Sequence, residues 1–202
     1  ITVGGAPGIS GITDGSIDAA RFTSPSGVAV DAAGNVFISD TESHVIRKIS
    51  PTGTVSTLAG SPGKNGTQNG TGAAARFNFP GGLAVDAGGI LLVADAGNSC
   101  IRKVTPEGVV TTFAGKAGEP GSGDGLAANA RFRSPQGVAV DGAGNIFVAD
   151  SDDHTIRKIS TGGNVSTLAG SHGNLGATDG FGANARFYQP YGIAVDAAGN
   201  VF

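Results

Sequence analysis

Apolar and small or polar residues alternate along short stretches of the chain, which is the pattern of a β-strand with one buried face. The first of these stretches, GVAVD, covers residues 27–31. The stretches VFISD (36–40), VIRKIS (45–50) and VSTLAG (55–60) follow it, with turn-forming residues between them. No segment carries an apolar stripe of useful length at helical spacing. The pattern therefore predicts four short antiparallel strands joined by tight turns.

The four-strand pattern recurs at a constant spacing, which is the same from Arg21 to Arg76 as from Arg76 to Arg131. A fixed period of about 55 residues is typical of stacked units that cannot bury their apolar faces alone. We predict a single domain over residues 1–202. Its expected parts are a blade-completing strand at 1–5, repeats at about 20–60, 75–115 and 130–170, and a partial repeat at 185–202.

Repeated antiparallel strands without helices predict an all-β fold, namely a β-propeller. Its blades would be four-stranded antiparallel sheets of about 55 residues, and about 3.7 of them would be present as a partial or open ring. A parallel β-helix is the alternative, although its rungs are usually shorter. One phenylalanine recurs in each polar connecting loop, and we expect all four to be buried between blades: Phe22, Phe77, Phe132 and Phe187.

The repeated motifs resemble a known family. The pattern Pro-x-Gly-(Val/Leu/Ile)-Ala-Val-Asp is followed by Gly-Asn-(Val/Ile)-Phe and then by Ile-Arg-Lys-(Ile/Val). It is similar to the NHL repeat, in particular to a long-spaced bacterial form with Asp-Gly and Ala-Arg-Phe in the connecting loop. The resemblance covers essentially the whole chain. It implies a propeller that serves as a binding platform, an adhesion module or, less often, an enzyme.

Composition and charge exclude several classes of partner. The net charge is −3 and no run of Lys or Arg occurs, so no nucleic-acid partner is expected. No stretch of apolar residues is long enough for a membrane span, so none is expected. Cys100 is the single cysteine, which excludes a disulfide framework within the chain and a cysteine-based metal site.

The chain ends interrupt the repeat. The fourth unit stops at Phe202, and four complete units would need about 18 residues more than the 202 present. The chain begins at Ile1 and contains no methionine, so we expect a mature form, a fragment or part of a longer chain. A six-bladed ring, which the NHL resemblance favours, would need about 330 residues. We therefore expect further repeats or a symmetric partner.

The histidines and acidic loops are the candidates for metal chemistry. His44 and His154 share one repeat position between the second and third strands, where the second unit has Ser99, and His172 lies in a connecting loop. The inner strands contain no histidine, so we predict no metal and no cofactor. Asp152 and Asp153 form the densest acidic cluster, but no loop offers the carboxylates of a strong calcium site. Turn formation is the expected role of the Asp-Gly loops.

Charged residues that recur in every complete unit are expected to be structural, because an active site in a propeller breaks the symmetry. We expect them to form ion pairs or backbone hydrogen bonds that tie strands and blades together. These residues are Arg21, Arg76, Arg131, Arg186, Arg47, Arg102, Arg157, Asp40, Asp95 and Asp150.

The function that we predict is non-catalytic binding or scaffolding by a secreted or surface-bound bacterial propeller. It would recognise a protein or a glycan through the face that carries the long inter-blade loops, where the units differ most. The candidate binding residues are Glu42, His44, Asn98, Asp152, Asp153 and His154. One alternative is self-assembly into a ring or fibre through exposed blade edges. Another is a metal-dependent propeller lyase or lactone hydrolase.

Overall fold

The computed structural model describes residues 4–202, so the strand expected over residues 1–5 lies largely outside the described residues. Residues 4–202 form three antiparallel sheets of five strands each and no α-helix. This confirms an all-β fold, and the antiparallel pairing excludes a parallel β-helix. The strands are β1 (Gly15–Ser16), β2 (Pro25–Val30), β3 (Val36–Asp40), β4 (Val45–Ile49), β5 (Thr54–Gly60), β6 (Gly70–Thr71), β7 (Pro80–Val85), β8 (Leu91–Asp95), β9 (Cys100–Val104), β10 (Val109–Ala114), β11 (Gly125–Leu126), β12 (Pro135–Val140), β13 (Ile146–Asp150), β14 (Thr155–Ile159) and β15 (Asn164–Gly170).

Each sheet contains one strand more than the four-stranded blade that the sequence predicts. The strand order in the first sheet is β1-β5-β4-β3-β2, and the other two sheets repeat it. The extra strand comes from the connecting loop, where Gly15 pairs with Val55 and Ser16 with Thr54. Gly15 has a φ of 136°, a conformation that side chains rarely adopt, so glycine lets the loop follow the outer edge. The added strand covers backbone groups that an edge strand would otherwise expose.

The turn between the first two long strands of a unit is held by an Asp–Asn pair. Asp31 accepts the backbone N–H groups of Ala33 and Asn35 through Oδ1, at 3.0 and 2.8 Å. The Asn35 side chain donates to Oδ2 at 2.7 Å, and this bond is the main cause that holds the pKa of Asp31 below its usual value. The third and fourth units repeat this pair, but the second unit has Ile90 in place of the asparagine.

Adjacent sheets pack face to face through apolar seams. The first seam joins Phe37 and Ile46 of the first sheet to Phe77 and Leu83 of the second, all of them buried. Phe132 takes the position of Phe77 in the next seam. Phe77 and Phe132 are fully buried, which confirms the predicted role of the loop phenylalanines at these two seams.

The apolar face of the first sheet is more accessible than the equivalent faces of the other two. Val28 is 63% exposed, whereas Leu83 and Val138 at the same repeat position are only 7% and 5% exposed. The first sheet covers Leu83, and the second sheet covers Val138. Phe22 and Phe187, the first and last of the loop phenylalanines, are half-buried for a similar reason, since each lies at an outer seam of residues 4–202.

The inner strands approach each other closely where each contains a glycine. A Cβ atom added to Gly82 would lie 2.8 Å from the carbonyl oxygen of Gln136 and 2.9 Å from the Cα of Gly137. A Cβ on Gly27 would lie 2.5 Å from the carbonyl oxygen of Gly81. Only glycine fits at these positions, so the inner strands can converge along the line where the sheets meet.

The partial fourth unit packs against the third sheet. Its Val195 and Val201 form an isolated antiparallel bridge around the turn that begins at Asp196. Near the start of the unit, the ring of Phe187 lies against Gly170 at the end of β15. The fourth unit therefore continues the arrangement of the three complete sheets.

Candidate functional site

Two sets of loops form one face of the molecule, which we call the loop face. One set joins the second and third long strands of each sheet and consists of a 3₁₀ turn followed by a residue in the left-handed region. The other set joins one sheet to the next. The first set comprises residues 41–44, 96–99 and 151–154, and the connecting loops vary most over residues 61–74, 116–129 and 171–184.

The left-handed residue of each loop bonds to the following unit. The Nδ1 atom of His44 accepts the backbone N–H of Phe79 at 3.1 Å, and burial lowers the pKa of this imidazole. The hydroxyl of Ser99 donates to the carbonyl oxygen of Arg133 at 2.7 Å. His154 repeats the contact of His44 at 3.3 Å. The two histidines therefore link neighbouring units and do not converge on a common point.

A buried ion pair lies beneath the loop face in each sheet. In the second sheet, Asp95 accepts hydrogen bonds from the backbone N–H of Asn78, the Asn98 side chain and the Arg102 guanidinium, each at 2.8 Å. Burial raises the pKa of Asp95 to about 6, although the positive charge of Arg102 acts in the opposite direction and lowers this pKa. The guanidinium of Arg102 also stacks on the ring of Phe77, 5.4 Å from its centre.

The other recurring charges have equivalent structural contacts, which confirms the prediction for them. Arg47 pairs with Asp40 and Arg157 with Asp150, at 3.6 and 3.4 Å. The Ala-Arg-Phe arginines donate to nearby backbone carbonyl groups, as Arg76 does to residues 73 and 75. Two of the Asp-Gly loops do more than form turns, because Asp14 accepts a hydrogen bond from the buried Arg47 and Asp124 accepts one from the buried Arg157.

The structure places the six predicted binding residues in different environments. Glu42 and Asp152 are exposed on the loop face, and His154 is half-buried. The remaining three, His44, Asn98 and Asp153, are buried and bond within the protein. The binding role of all six stays a prediction, and the exposed side chains are the ones that a partner can reach directly.

A charged cluster on the third sheet was not predicted from the sequence. The buried carboxylate of Asp153 accepts from the Ser122 hydroxyl at 2.6 Å and lies 3.2 Å from Nε of Arg133. Its other oxygen lies 2.5 Å from Nδ1 of His172 and accepts from the Thr155 hydroxyl at 3.1 Å. Arg133 and His172 are exposed. The cluster therefore has the Asp153 carboxylate buried beneath a guanidinium and an imidazole at the surface.

The cluster breaks the repeat, and this was the available signal in the sequence. The repeated frame has neither Arg nor His at these positions in the first two units. The equivalent residues there are Ile12, Thr23, Ser43, Pro62, Thr67, Asn78, Asn98 and Ala117. Because the four side chains come from three separate loops, with Ser122 and Arg133 in the same one, only the fold shows that they meet.

The contacts within the cluster do not match those of a nucleophilic site. The Ser122 hydroxyl bonds to Asp153 and to Nε of Arg133, and among the described residues it makes no hydrogen bond to an imidazole. Activation of a serine by histidine requires that contact. The cluster instead fixes the guanidinium of Arg133 at the surface, where it can bind an acidic group.

Residues 4–202 contain no metal-type cluster and no membrane-spanning helix. No three His, Cys, Asp or Glu side chains in this part of the chain are grouped as they would be around a metal ion. None of its helices is long and apolar enough to cross a membrane.

Comparison with known protein families agrees with the repeated motifs. The NHL repeat family model matches residues 22–49 and 77–104, and the model of the teneurin NHL domain matches residues 116–180. The chain belongs to the NHL-repeat family. Human NHL repeat-containing protein 2 is 31% identical over 224 aligned residues, which cover 95% of this chain. This NHL-repeat chain spans only 31% of the length of that relative.

Solved structures with the same fold have different activities. An auxiliary nutrient binding protein from Bacteroides ovatus has a TM-score of 0.67 at 22% identity, over 89% of this chain and 44% of that one. Virginiamycin B lyase from Staphylococcus aureus has a TM-score of 0.59 at 14% identity, over 88% of this chain and 47% of that one. These similarities establish the fold but do not assign an activity to the NHL-repeat chain.

Proposed function

We propose that this chain is a non-catalytic binding module that recognises an acidic group on a protein or a glycan through the loop face of its third sheet. Arg133 is the observation that carries the proposal. Its side chain is 53% exposed, and its Nε atom lies 3.2 Å from Asp153 and 3.1 Å from the Ser122 hydroxyl. Its two terminal amino groups have no partner among residues 4–202. A planar guanidinium held in this way suits a carboxylate, which it can bind through two parallel hydrogen bonds.

Neighbouring side chains extend this surface. Tyr188 is exposed on the loop face and stacks on the ring of His154, with the ring centres 6.0 Å apart. An exposed aromatic ring offers apolar area with little loss of side-chain freedom, and such rings are common at recognition surfaces. Asp152 lies beside this pair, 3.5 Å from the Gln189 side-chain amide. The surface therefore combines aromatic, acidic and basic groups.

The cleft along the inner strands supports a non-catalytic role. Its volume is about 280 Å³, and its polar side chains are those of Ser26, Gln136 and Tyr191. No carboxylate or imidazole lines this cleft, and histidine is the group that most often performs general acid–base catalysis. The alternative to a binding module is a metal-dependent lyase or lactone hydrolase, because one of the structural neighbours is a lyase.

The proposal includes an extracellular or cell-surface location in a bacterium. The composition supports this location, because only 14% of the residues are charged and 36 residues are glycine. Fractionation of the source cells, followed by detection with an antibody against the chain, tests this part. Detection only in the cytosolic fraction would refute it.

Binding to an array of neutral, uronic-acid and sialylated glycans, together with acidic and neutral peptides, tests the proposed ligand class. We expect retention of acidic ligands that weakens with salt, because exposed ion pairs are screened. Arg133→Asn introduces the residue that the second unit has at this position and should reduce binding about tenfold or more. Lys64→Asn removes a similar charge from the first connecting loop and serves as the control. Unchanged binding by Arg133→Asn, or no acidic ligand at all, would refute the proposal.

Self-association is a second candidate function that one observation favours. The exposed apolar face of the first sheet forms a groove of about 340 Å³ that includes Phe22, Val28 and Ile38. At the opposite end of the described chain, Tyr191 and Phe202 are also exposed. A second copy that docks these rings into the groove would bury both surfaces. Light scattering should then show a dimer or larger species that Val28→Asp dissociates, and a monomer at all concentrations would exclude this candidate.

A further inference from the structure

A cleft of about 360 Å³ lies between the second and third sheets, on the face opposite the loop face. This turn face carries the turns between the first and second and between the third and fourth long strands of each sheet. The second sheet contributes Asp86, Lys103 and Phe113 to the cleft, and the third contributes Ile146 and residues 160–163. The volume is within the range of pockets that bind small molecules.

The carboxylate of Asp86 differs from the equivalent carboxylates of the other units. Its Oδ1 atom accepts the backbone N–H groups of Gly88 and Ile90, both at 2.9 Å, as in every turn of this type. The other units use an asparagine side chain to satisfy Oδ2, but Ile90 cannot donate such a bond. The Oδ2 atom of Asp86 therefore has no hydrogen-bond partner among residues 4–202, and Asp86 lines the cleft.

The cleft is open because the third sheet has small residues at its last turn. Gly162 stands where the second sheet has Glu107. A Cβ atom on Gly108 would lie 2.6 Å from the carbonyl oxygen of Leu58, so the first seam is closed at this level. A Cβ on Gly163, at the same repeat position, would have no neighbouring atom within 4 Å.

A cationic side chain and apolar side chains complete the lining of the cleft. The ammonium group of Lys103 lies over the ring of Phe113, 3.8 Å from its centre, and makes no ion pair among the described residues. Among the aliphatic lining residues, Leu92 and Ile146 are buried, and the half-buried Val140 offers accessible surface. The cleft thus presents an acceptor for a positive group, a donor for a negative group and apolar surface for the body of a small molecule.

We propose that this cleft binds a small zwitterion of the amino-acid class. The ligand ammonium would donate to Oδ2 of Asp86, its carboxylate would accept from Lys103, and its aliphatic body would contact Val140. An uncharged sugar would leave Lys103 without a counter-charge. The site is separate from the acidic-ligand surface, so either proposal can fail without the other.

NMR titration of the ¹⁵N-labelled chain with L-leucine tests the site. We expect saturable shifts of the backbone amides of residues 88–90 and 162–163. The matched probes are 3-methylbutylamine, which lacks the carboxylate, and 4-methylpentanoate, which lacks the amine. Each should bind about tenfold or more weakly, because one charged hydrogen bond is lost. Glucose is the neutral probe and should cause no saturable shift.

Two substitutions restore residues of the other units and should abolish binding without disturbing the frame. Ile90→Asn supplies the missing side-chain donor to Asp86, and Gly162→Glu introduces the residue of the second sheet into the opening. Ala87→Ser is an exposed control in the same turn and should bind as the parent does. Saturable binding of L-leucine by both restored variants would overturn the proposal, as would glucose binding or no binding of L-leucine by the parent chain.

Discussion

The contact between inner strands makes a quantitative prediction for Gly82→Ala. The new Cβ atom would lie 2.8 Å from the Gln136 carbonyl oxygen and 3.0 Å from the backbone nitrogen of Val138. Both neighbours are backbone atoms, so no side-chain rotation relieves the contact. The two inner strands must instead move apart by several tenths of an ångström.

The magnitude follows from two opposing effects. Overpacking of a tight contact costs about 1–3 kcal/mol. Replacement of glycine by alanine lowers the conformational entropy of the unfolded chain, and this stabilises the folded protein by about 0.4–1 kcal/mol where the native backbone suits alanine. Gly82 does not have a left-handed φ, so this gain applies to it. We expect a net loss of about 1–2 kcal/mol, which lowers the Tm of a chain of this size by about 2–8 °C.

Urea and thermal unfolding, together with hydrogen exchange of β7 and β12, measure the effect. Gly192→Ala is the matched control, because it occupies the same repeat position and no atom lies within 4 Å of its added Cβ. We expect the control to be more stable than the parent chain by about 0.4–1 kcal/mol, because it has the gain without the contact. Gly82→Ala should exchange faster in both inner strands. A Gly82→Ala variant with the stability of the parent would refute the close approach of these strands.

Three further predictions concern the seams and the buried ion pairs. Phe77→Ala should lose about 3–5 kcal/mol in urea unfolding, and Phe22→Ala should lose clearly less because Phe22 is half-buried; equal losses would contradict the seam. Asp95→Ala should cost about 3–5 kcal/mol, since it leaves Arg102 buried without its counter-ion, and a cost below about 1 kcal/mol would argue against the pair. Burial raises the pKa of Asp95 and Asp150 to about 6, above their unfolded values. Their contribution to stability should therefore be lost as the pH rises through about 6, and calorimetry that shows no such loss between about pH 4 and 6 would contradict these shifts.

Much of the frame could be predicted because the repeat displays it several times. The four long strands follow from alternation, and the role of Phe77 follows from an apolar ring that recurs within a polar loop. The short strand at residues 15–16 could not be predicted, since two residues carry no alternation. The contact at Gly82 was also missed, because it depends on the distance between sheets, which no local pattern encodes.

The candidate site was less predictable for a related reason. The positions of His44 and Asn98 vary between units as surface positions do. However, the left-handed conformation of His44 directs its side chain toward the next unit, and Asn98 donates a hydrogen bond to Asp95. Arg133 and His172 lie in two different connecting loops, one before Asp153 in the sequence and the other after it. Their meeting depends on the paths of these two loops, and sequence variation alone does not reveal those paths.

The change from Asn98 to Asp153 at one repeat position explains why the charged cluster exists only in the third sheet. Asn98 donates a hydrogen bond to Asp95, but an ionised Asp153 cannot donate to Asp150, and its charge contributes to the raised pKa of that residue. Arg133 and the hydroxyl of Ser122 compensate for the extra carboxylate.

The contacts that neutralise Asp153 also restrict the side chain of Arg133 before any ligand binds. A free surface arginine would lose about 2 kcal/mol of side-chain entropy when it is immobilised. Arg133 has already lost part of that freedom in the folded chain, because its Nε atom is held by Asp153 and Ser122. An acidic group that binds its terminal amino groups therefore meets a smaller entropic cost than it would at an unrestrained arginine, which is the advantage of preorganisation.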